Sequence, residues 1–237
     1  MKVAVIGSGR MGRAAEAVCA RDAAIEIAGF VSPEGYKSLD EIADVDAVID
    51  FSAPDASMQA LSCAMKRKLP MVIGTTGFDG AQGDMIRTAS DAIPIVWSSN
   101  FSAGVTVLVR LVREAAKALK GFDIEIVETH HREKLDAPSG TARMLLGAAD
   151  PDGRLEAVFG RAGNGRRGRE IGVHALRGGT AAGEHSVRFL GAQEELELRH
   201  RAESPEIFAR GALIAAQFAR KAGPGLYDMN DVLFGGL

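Results

Sequence analysis

The chain has 237 residues, of which 46% are hydrophobic and 25% are charged, as in an ordinary globular protein. Its formal net charge of -3 argues against a general binder of polyanions such as nucleic acid, which would carry an excess of basic residues. Two cysteines are too few for a disulfide framework or a cysteine-rich zinc site.

The sequence also bears on the cellular compartment. It has no stretch that is long and apolar enough to cross a bilayer, and its opening residues have no apolar signal core. Cys19 and Cys63 each lie in an apolar, helical-looking stretch, which suits small buried side chains in a reducing compartment. We therefore expect a cytoplasmic protein with no membrane partner and no nucleic acid partner.

Short apolar strands alternate with helical patterns over the first hundred residues. Strands are predicted at residues 2–6, 25–31, 47–51, 70–73 and 93–97. Helices are predicted at residues 10–22, 55–66 and 81–89, with a short helix or loop at residues 37–43. Because such alternation produces βαβ units, this region is predicted to be an α/β domain with a Rossmann-type, doubly wound parallel sheet.

The pattern changes after residue 100. A long helix is predicted at residues 105–119, and residues 122–127 alternate strictly between polar and apolar, as in a half-exposed strand. Further alternating segments between residues 155 and 201 favour a mixed or antiparallel sheet, and residues 205–221 are again helical. The sequence thus predicts a second domain of the α+β class, built on a mixed sheet.

A glycine-rich turn joins the first predicted strand to the first predicted helix. Gly7, Gly9 and Gly12 satisfy the pattern G-x-G-x-x-G. These glycines allow a tight turn, a close approach of the backbone to a pyrophosphate, and close packing of the helix on the strand. The helix start also offers N–H groups to phosphates. We interpret the turn as a dinucleotide-binding site; an ordinary strand-to-helix turn is the alternative.

The end of the second strand bears on which dinucleotide is bound. Ser32 occupies the position where a carboxylate usually binds the ribose hydroxyls of NAD. Serine does not repel a 2′-phosphate, and Arg10 in the turn could pair with one, so the sequence favours NADPH or the use of both cofactors. Glu34 is close enough in the sequence to restore a preference for NADH.

Two further polar segments follow predicted strands. Residues 74–77 (Gly-Thr-Thr-Gly) follow the fourth strand, and residues 98–101 (Ser-Ser-Asn-Phe) follow the fifth. Ligands of doubly wound folds bind at the carboxyl ends of the strands, where glycines and hydroxyls suit a nicotinamide ribose. The alternative is that both segments are ordinary strand-end turns.

Residues 128–142 carry the strongest chemical signal. His130, His131 and Lys134 gather positive charge at the end of a strand, and Ser139 is a natural N-cap for a helix that follows. A helix start beside these cations suits a small dianion. No metal site is predicted, because adjacent strand residues point to opposite faces and no further Cys or His lies nearby. A solvated charged loop with a helix cap is the other alternative.

This stretch resembles the signature of the 4-hydroxy-tetrahydrodipicolinate reductase family, Glu-x-His-His-x-x-Lys-x-Asp-Ala-Pro-Ser-Gly-Thr-Ala, and meets all its fixed positions. The resemblance covers the whole chain, from the opening turn to the tail at residues 227–233. In three respects the sequence departs from many members of the family: its first turn is one residue shorter, Glu133 stands where His is common, and the connection after the second strand is short.

The resemblance implies NAD(P)H-dependent reduction of 4-hydroxy-tetrahydrodipicolinate to tetrahydrodipicolinate with loss of water, in lysine/diaminopimelate biosynthesis. The implied cofactor is NADPH or NADH, and the implied substrate is a small-molecule dicarboxylate. Residues 1–101 and 205–237 are then the dinucleotide-binding domain. Residues 102–204 are the substrate-binding and oligomerisation domain, through which a homotetramer is built.

The resemblance also implies roles for individual residues. His130 and Lys134 are the catalytic pair. From their chemistry we expect Lys134 to donate the proton and His130 to relay a proton or orient a group, and the sequence by itself leaves the division of these two roles open. The substrate carboxylates are expected to bind to His131, Ser139, Gly140 and Thr141. The residues expected to contact the cofactor are Gly7, Ser8, Gly9, Arg10, Met11, Gly12, Ser32, Phe51, Gly74, Thr75, Thr76, Ser98, Ser99, Asn100 and Phe101.

Two rival functions are weaker. A dehydrogenase acting on an amino-acid semialdehyde needs a catalytic cysteine, but Cys19 and Cys63 lie in apolar helical stretches. A dinucleotide-sensing protein without turnover would not need His130 and Lys134 beside a carboxylate-binding helix start.

Overall fold

Residues 1–235 are described by the structure, a computed structural model, and they form eleven strands and seven α-helices. The strands are β1 (Lys2–Ile6), β2 (Glu26–Val31), β3 (Ala47–Asp50), β4 (Met71–Ile73), β5 (Pro94–Trp97), β6 (Asp123–His130), β7 (Glu156–Phe159), β8 (Glu170–Arg177), β9 (Gly183–Leu190), β10 (Glu195–Ala202) and β11 (Gly225–Tyr227). The helices are α1 (Arg10–Cys19), α2 (Pro54–Arg67), α3 (Gly80–Ala89), α4 (Ala103–Ala118), α5 (Gly140–Ala149), α6 (Glu206–Ala219) and α7 (Met229–Phe234). Within residues 1–235, none of the helices could cross a membrane, because none is both long and apolar enough.

The chain separates into two units. The first consists of Met1–Ala103 and the segment that begins at Pro205, and the second consists of Gly104–Ser204. The division at residues 101 and 205 that the resemblance implies lies within two residues of these bounds. Residues 236 and 237, which that division assigns to the first domain, lie outside the described residues.

The sheet of the first unit is parallel throughout, in the order β11-β5-β4-β3-β1-β2. Successive residues of a strand point to opposite faces. Val3 and Ile49 therefore pack with α1 and α6 on one face, while Ala4 and Val48 pack with α2 and α3 on the other. Helices thus cover both faces, which confirms the predicted Rossmann-type, doubly wound sheet.

The segment after residue 205 belongs to the first unit, a point that the patterns alone left open. Small residues along α6 pack on the sheet beside α1. At Gly211 the helix lies so close to the connection between β5 and α4 that a Cβ would be 1.6 Å from the carbonyl oxygen of Phe101. Strand β11 then adds to the edge of the sheet beside β5. This three-residue strand was not predicted, because it forms by pairing with β5, which is distant in sequence.

The sheet of the second unit is mixed, in the order β10-β9-β6-β8-β7. Strand β6 pairs parallel with β8 and antiparallel with β9, which confirms the predicted mixed sheet. One face packs against α4 and α5 through Ile124, Ile126 and Leu145. The pairing on both sides extends β6 to His130, three residues beyond the predicted end at residue 127. As a result, Glu128 and His130 lie on the buried face of a regular strand.

Candidate active site

The turn after β1 has the geometry that a dinucleotide requires. Gly7 has a φ of +97°, and a Cβ there would lie 2.5 Å from the carbonyl oxygen of Phe51. A Cβ at Gly12 would lie 2.2 Å from the carbonyl oxygen of Gly7, so only glycine lets α1 pack this closely. A Cβ at Gly9 would meet nothing within 4 Å, which leaves open space where a pyrophosphate approaches the backbone. The residues present therefore fit a bound dinucleotide.

The start of α1 suits an anion. Its N-cap is Gly9, no side chain of the described residues caps it, and its first turn holds no acidic residue. The helix N–H groups and the positive end of the helix dipole are thus available to phosphate oxygens. Beside the turn lies a cavity of about 450 Å³, whose lining includes Gly7, Ser32 and Ser52.

Charged groups flank this cavity in a way that the sequence only partly indicated. The Ser8 hydroxyl donates to Oε2 of Glu34 at 3.1 Å. A hydrogen bond from its own backbone, and then the bond from Ser8, lower the pKa of Glu34, which keeps a carboxylate beside the turn. Lys37, which the sequence analysis did not single out, lines the cavity and donates to the carbonyl oxygen of Pro33. Arg10 is exposed at the first residue of α1.

The ends of β3, β4 and β5 come together at the carboxyl edge of the sheet. A Cβ at Gly74 would lie 2.5 Å from the ring of Phe51, which stacks edge-on against Phe101 with ring centroids 6.3 Å apart. The backbone N–H of Ser52 donates to Oγ1 of Thr75 at 2.9 Å. A second cavity of about 490 Å³ includes in its lining Thr75, Thr76, Ser98 and Ser99. The structure therefore brings the predicted strand-end residues to one edge.

Asp50 organises this edge and was not predicted as a site residue. Its side chain is fully buried, and burial raises the pKa of its carboxyl. Its Oδ1 accepts from the backbone N–H of Ser52 at 3.1 Å and from the Ser52 hydroxyl at 2.5 Å. Ser52 in turn is bonded to Thr75. Asp50 thus ties the end of β3 to the end of β4.

The second unit contains a buried polar centre around the end of β6. Glu128 is fully buried, and His130 is 8% exposed. Oε2 of Glu128 accepts from Nδ1 of His130. Oε1 accepts from the backbone N–H of Ser139 at 3.0 Å and from Nη2 of Arg177 at 2.9 Å. The carboxylate therefore joins β6 to the end of β8 and to the start of α5.

The charge state of this centre follows from its hydrogen bonds. Burial raises the pKa of Glu128, but the hydrogen bonds from His130, Arg177 and the N–H of Ser139 together outweigh burial and lower that pKa to about 2. An ionised carboxylate can only accept hydrogen bonds. Nδ1 of His130 therefore carries a proton. Sequence reasoning passed over Glu128 and Arg177, although Glu128 is the first fixed position of the signature.

Ser139 caps α5 as predicted. Its hydroxyl oxygen accepts from the N–H of Ala142 at 3.2 Å and lies 3.0 Å from Nε2 of His185. Burial lowers the pKa of His185 to about 4, helped by the nearby charge of His130, so this ring is neutral at neutral pH. The hydroxyl and the backbone N–H of Ser139 are both engaged within the protein. Its contribution is therefore to fix the helix start. Gly140 beside it is exposed, and a Cβ there would meet nothing within 4 Å.

Lys134 lies in the connection between β6 and α5. Its Nζ donates to Oδ1 of Asp136 at 2.8 Å. That bond lowers the pKa of Asp136. The backbone oxygen of Asp136 accepts from Nη2 of Arg177 at 2.6 Å, the same nitrogen that bonds to Glu128. Arg177 thereby holds the segment that carries Lys134 against the centre around Glu128.

Glu128, His130 and His185 also place atoms of the metal-binding type within 4.8 Å of one another. In the structure, both oxygens of Glu128 and Nε2 of His185 are engaged with protein groups. A cation there would have to displace the guanidinium of Arg177 and lie close to its positive charge. We therefore assign no metal ion to this group.

Residues 1–101 match the family described as dihydrodipicolinate reductase, N-terminus, and residues 104–233 match dihydrodipicolinate reductase, C-terminus. The 4-hydroxy-tetrahydrodipicolinate reductase of Rubrobacter xylanophilus is 45% identical over 98% of this chain and 98% of its own length. The enzyme of that name from Methanoregula boonei is 40% identical over 98% of this chain and 97% of its own length.

Solved structures share the fold. A dipicolinate-bound dihydrodipicolinate reductase from Paenisporosarcina sp. TG-14 has a TM-score of 0.79 and 20% identity, over 99% of both chains. A probable dehydrogenase from Thermotoga maritima has a TM-score of 0.62 and 12% identity, over 98% of this chain and 92% of its own.

The lowered pKa of His185 predicts how stability depends on pH. Between the ordinary pKa of 6.5 and the folded value of about 4, the unfolded chain binds a proton that the folded chain excludes. The contribution of His185 to stability is therefore fully present above pH 6.5 and is lost as the pH falls towards 4. The loss is at most about 3 kcal/mol for this group. Urea unfolding of the wild type and of His185→Gln across this interval measures the effect.

We expect the variant to lose less unfolding free energy than the wild type over the same pH interval. Burial also lowers the pKa of His200, which adds to the slope in both proteins and cancels in the comparison. Equal slopes for the two proteins would contradict the assignment.

Proposed function

This chain belongs to the dihydrodipicolinate reductase family, and from that premise we propose how its residues carry out the reaction. It catalyses the reduction of 4-hydroxy-tetrahydrodipicolinate to tetrahydrodipicolinate with loss of water, using NADH or NADPH, in lysine/diaminopimelate biosynthesis. The observation that carries this conclusion is the centre around Glu128 in the second unit. There Glu128 bonds both to His130 and to the N-cap residue of α5, and Lys134 lies in the connection between β6 and α5.

The first unit holds the cofactor, which supplies the hydride when bound. The glycine turn and the start of α1 would hold the pyrophosphate, as the open space at Gly9 supports. Ser32 would lie beside the adenosine ribose. The nicotinamide half would be held at the strand ends, by Phe51, Gly74, Thr75, Thr76, Ser98, Ser99, Asn100 and Phe101. The edge-on rings of Phe51 and Phe101 shape this part of the unit.

The second unit binds the dicarboxylate substrate. We assign its carboxylates to the start of α5, where the backbone N–H groups of Gly140 and Thr141 lie at the positive end of the helix dipole. His131 adds a further donor. Ser139 acts indirectly, because its hydroxyl caps the helix and its N–H is bonded to Glu128. Charge-assisted hydrogen bonds of this kind are about twice as strong as those between neutral groups.

Lys134 donates the proton that completes the reduction. When hydride adds to the conjugated ring of the dehydrated substrate, electron density builds up on the ring, and a nearby ammonium group stabilises it and then protonates it. Lys134 suits this role because Asp136 holds its ammonium group at 2.8 Å while its side chain remains 22% exposed. His130 relays a proton or orients the substrate beside it.

Replacing Lys134 tests this function directly. We expect Lys134→Ala to lower kcat by at least about 100-fold, the lower range for loss of a general acid. Cofactor affinity should stay the same, because Lys134 lies in the second unit. The measurement is NAD(P)H oxidation with freshly generated substrate, and Lys120→Ala, an exposed lysine of the same unit, is the control. Near-normal kcat in Lys134→Ala would remove Lys134 from the mechanism, and an inactive wild type would refute the function.

The charged groups beside the first cavity determine the choice between cofactors. The Glu34 carboxylate suits the two ribose hydroxyls of NADH, and the Lys37 ammonium suits the 2′-phosphate of NADPH. Glu34 and Lys37 are both present, and Ser32 repels neither NADH nor NADPH. We therefore propose that the enzyme accepts both cofactors. In this assignment Lys37 replaces the exposed Arg10 as the main partner of the 2′-phosphate.

Opposing substitutions test this assignment. We expect Glu34→Gln to shift kcat/KM towards NADPH and Lys37→Gln to shift it towards NADH. Each shift should be about tenfold. Steady-state kinetics with both cofactors gives the two ratios. Shifts in the same direction for both variants would contradict the assignment.

We also propose that the protein is a homotetramer built through the second unit. The face of its sheet opposite α4 and α5 carries Val127 and the 49%-exposed Leu176 among ion pairs such as Arg188–Glu197. Such a mixture of apolar groups and paired charges suits an interface between copies of one chain. Light scattering should give a mass four times that of one chain, and Leu176→Glu should lower it. A wild type that is monomeric at assay concentrations would contradict the proposal.

A further inference from the structure

The carboxylate of Glu128 is fully buried yet ionised, and it lies at the junction of three elements. It bonds to His130 on β6, to Arg177 on β8 and to the N-cap residue of α5. A buried ion pair contributes little net stability, because the cost of removing two charges from water offsets their attraction. Its presence beside the reacting groups therefore points to a role in the reaction.

We propose that Glu128 is a positioning residue that fixes the proton of His130 on Nδ1 and so presents Nε2 to the substrate. This inference rests on the function proposed above. A carboxylate behind a catalytic imidazole has a known physical effect: it selects one tautomer and stabilises the imidazolium that forms during proton transfer. Here that carboxylate is supplied from two residues earlier on the same strand.

The surroundings of the His130 ring support this orientation. The backbone of β9 passes along the Nε2 side of the ring, where a Cβ at Gly183 would lie 3.0 Å from Nε2. Gly183 has a φ of +151°, a conformation that favours glycine. Because residue 183 has no side chain, no Cβ presses against Nε2. The edge-on ring of His185, with a centroid 5.1 Å away, limits rotation of His130 from another side.

Arg177 extends the effect of Glu128 to Lys134. One guanidinium nitrogen of Arg177 donates both to Glu128 and to the backbone oxygen of Asp136, and Asp136 accepts from the ammonium of Lys134. The carboxylate of Glu128 and the guanidinium of Arg177 thus fix the positions of His130 and Lys134 relative to each other. Since Glu128 reaches the reacting atoms only through these groups, it positions them and does not itself react.

The isosteric substitution Glu128→Gln should reverse the tautomer. A glutamine amide has one oxygen and one NH₂ group. Its oxygen is drawn to the site where Arg177 and the N–H of Ser139 both donate. The NH₂ group is then left facing Nδ1 of His130, which must accept. His130 would then carry its proton on Nε2. To form an imidazolium, Nδ1 would also have to take a proton, and this N–H would face the N–H of the glutamine amide.

The first measurement needs neither substrate nor activity. Long-range ¹H–¹⁵N NMR of histidine-labelled protein shows which ring nitrogen is protonated, and a His130→Gln sample identifies the signals of His130 among the five histidines. We expect a protonated Nδ1 in the wild type and the Nε2–H tautomer in Glu128→Gln. Wild-type protein with an unprotonated Nδ1 would overturn the inference, whether or not the variant folds.

The second measurement is kinetic. We expect Glu128→Gln to lower kcat by at least about 100-fold, as for a lost acid catalyst, with a much smaller change in the KM of the substrate. Glu128→Asp retains the charge and should recover part of kcat. Glu114→Gln, which removes an exposed carboxylate paired with Lys117 on α4, is the matched control and should behave as the wild type.

The outcomes distinguish a failure of the proposed function from a failure of the positioning role of Glu128. If wild-type protein fails to reduce the substrate, the proposed function fails, while the NMR result still decides the state of His130. If Glu128→Gln folds, binds NADPH normally and keeps wild-type kcat, the positioning role is refuted. A loss that appears equally in kcat and in thermal stability, with the His130 tautomer unchanged, would show a merely structural role and would also refute it.

Discussion

An ionised carboxylate that is buried without partners costs several kcal/mol in free energy, and Glu128 is such a group unless donors surround it. Much of the second unit's polar architecture satisfies this requirement. Strand β8 ends so that Arg177 reaches Glu128, and α5 begins so that the N–H of Ser139 reaches it. The requirement for donors thereby brings together the end of β6 and the start of a helix, the two features on which the proposed substrate binding and proton transfer rest.

The first unit depends on a different constraint, which is the close approach of backbones. Gly7, Gly12, Gly74 and Gly211 each lie where a Cβ would collide with a neighbouring backbone or ring. These contacts bring the ends of β1, β3 and β4 together, and they hold α6 against Phe101 after β5. Asp50 and Thr75 then join that edge by hydrogen bonds through Ser52. Such close contacts and hydrogen bonds preorganise the strand ends where a dinucleotide would bind.

Much of this protein was determined by local sequence. The alternation of apolar strands and helices predicted the doubly wound sheet, because burial on both faces of a parallel sheet requires that pattern. The glycine turn and the N-cap at Ser139 were also predicted correctly, since both depend on residues that are neighbours in the chain. The motif around His130 and Lys134 was recognisable because its residues lie within one short segment.

Tertiary structure decided what depends on residues that are distant in sequence. Arg177 and His185 follow Glu128 by about fifty positions, and only the pairing of β6 with β8 and β9 brings them to it. The same pairing extends β6 to His130, and a pairing with β5 creates β11. Lys37 lines the first cavity only because β2 lies beside β1. Sequence by itself specifies what each segment prefers, whereas the partners of a buried charge are set by which strands become neighbours in the folded sheet.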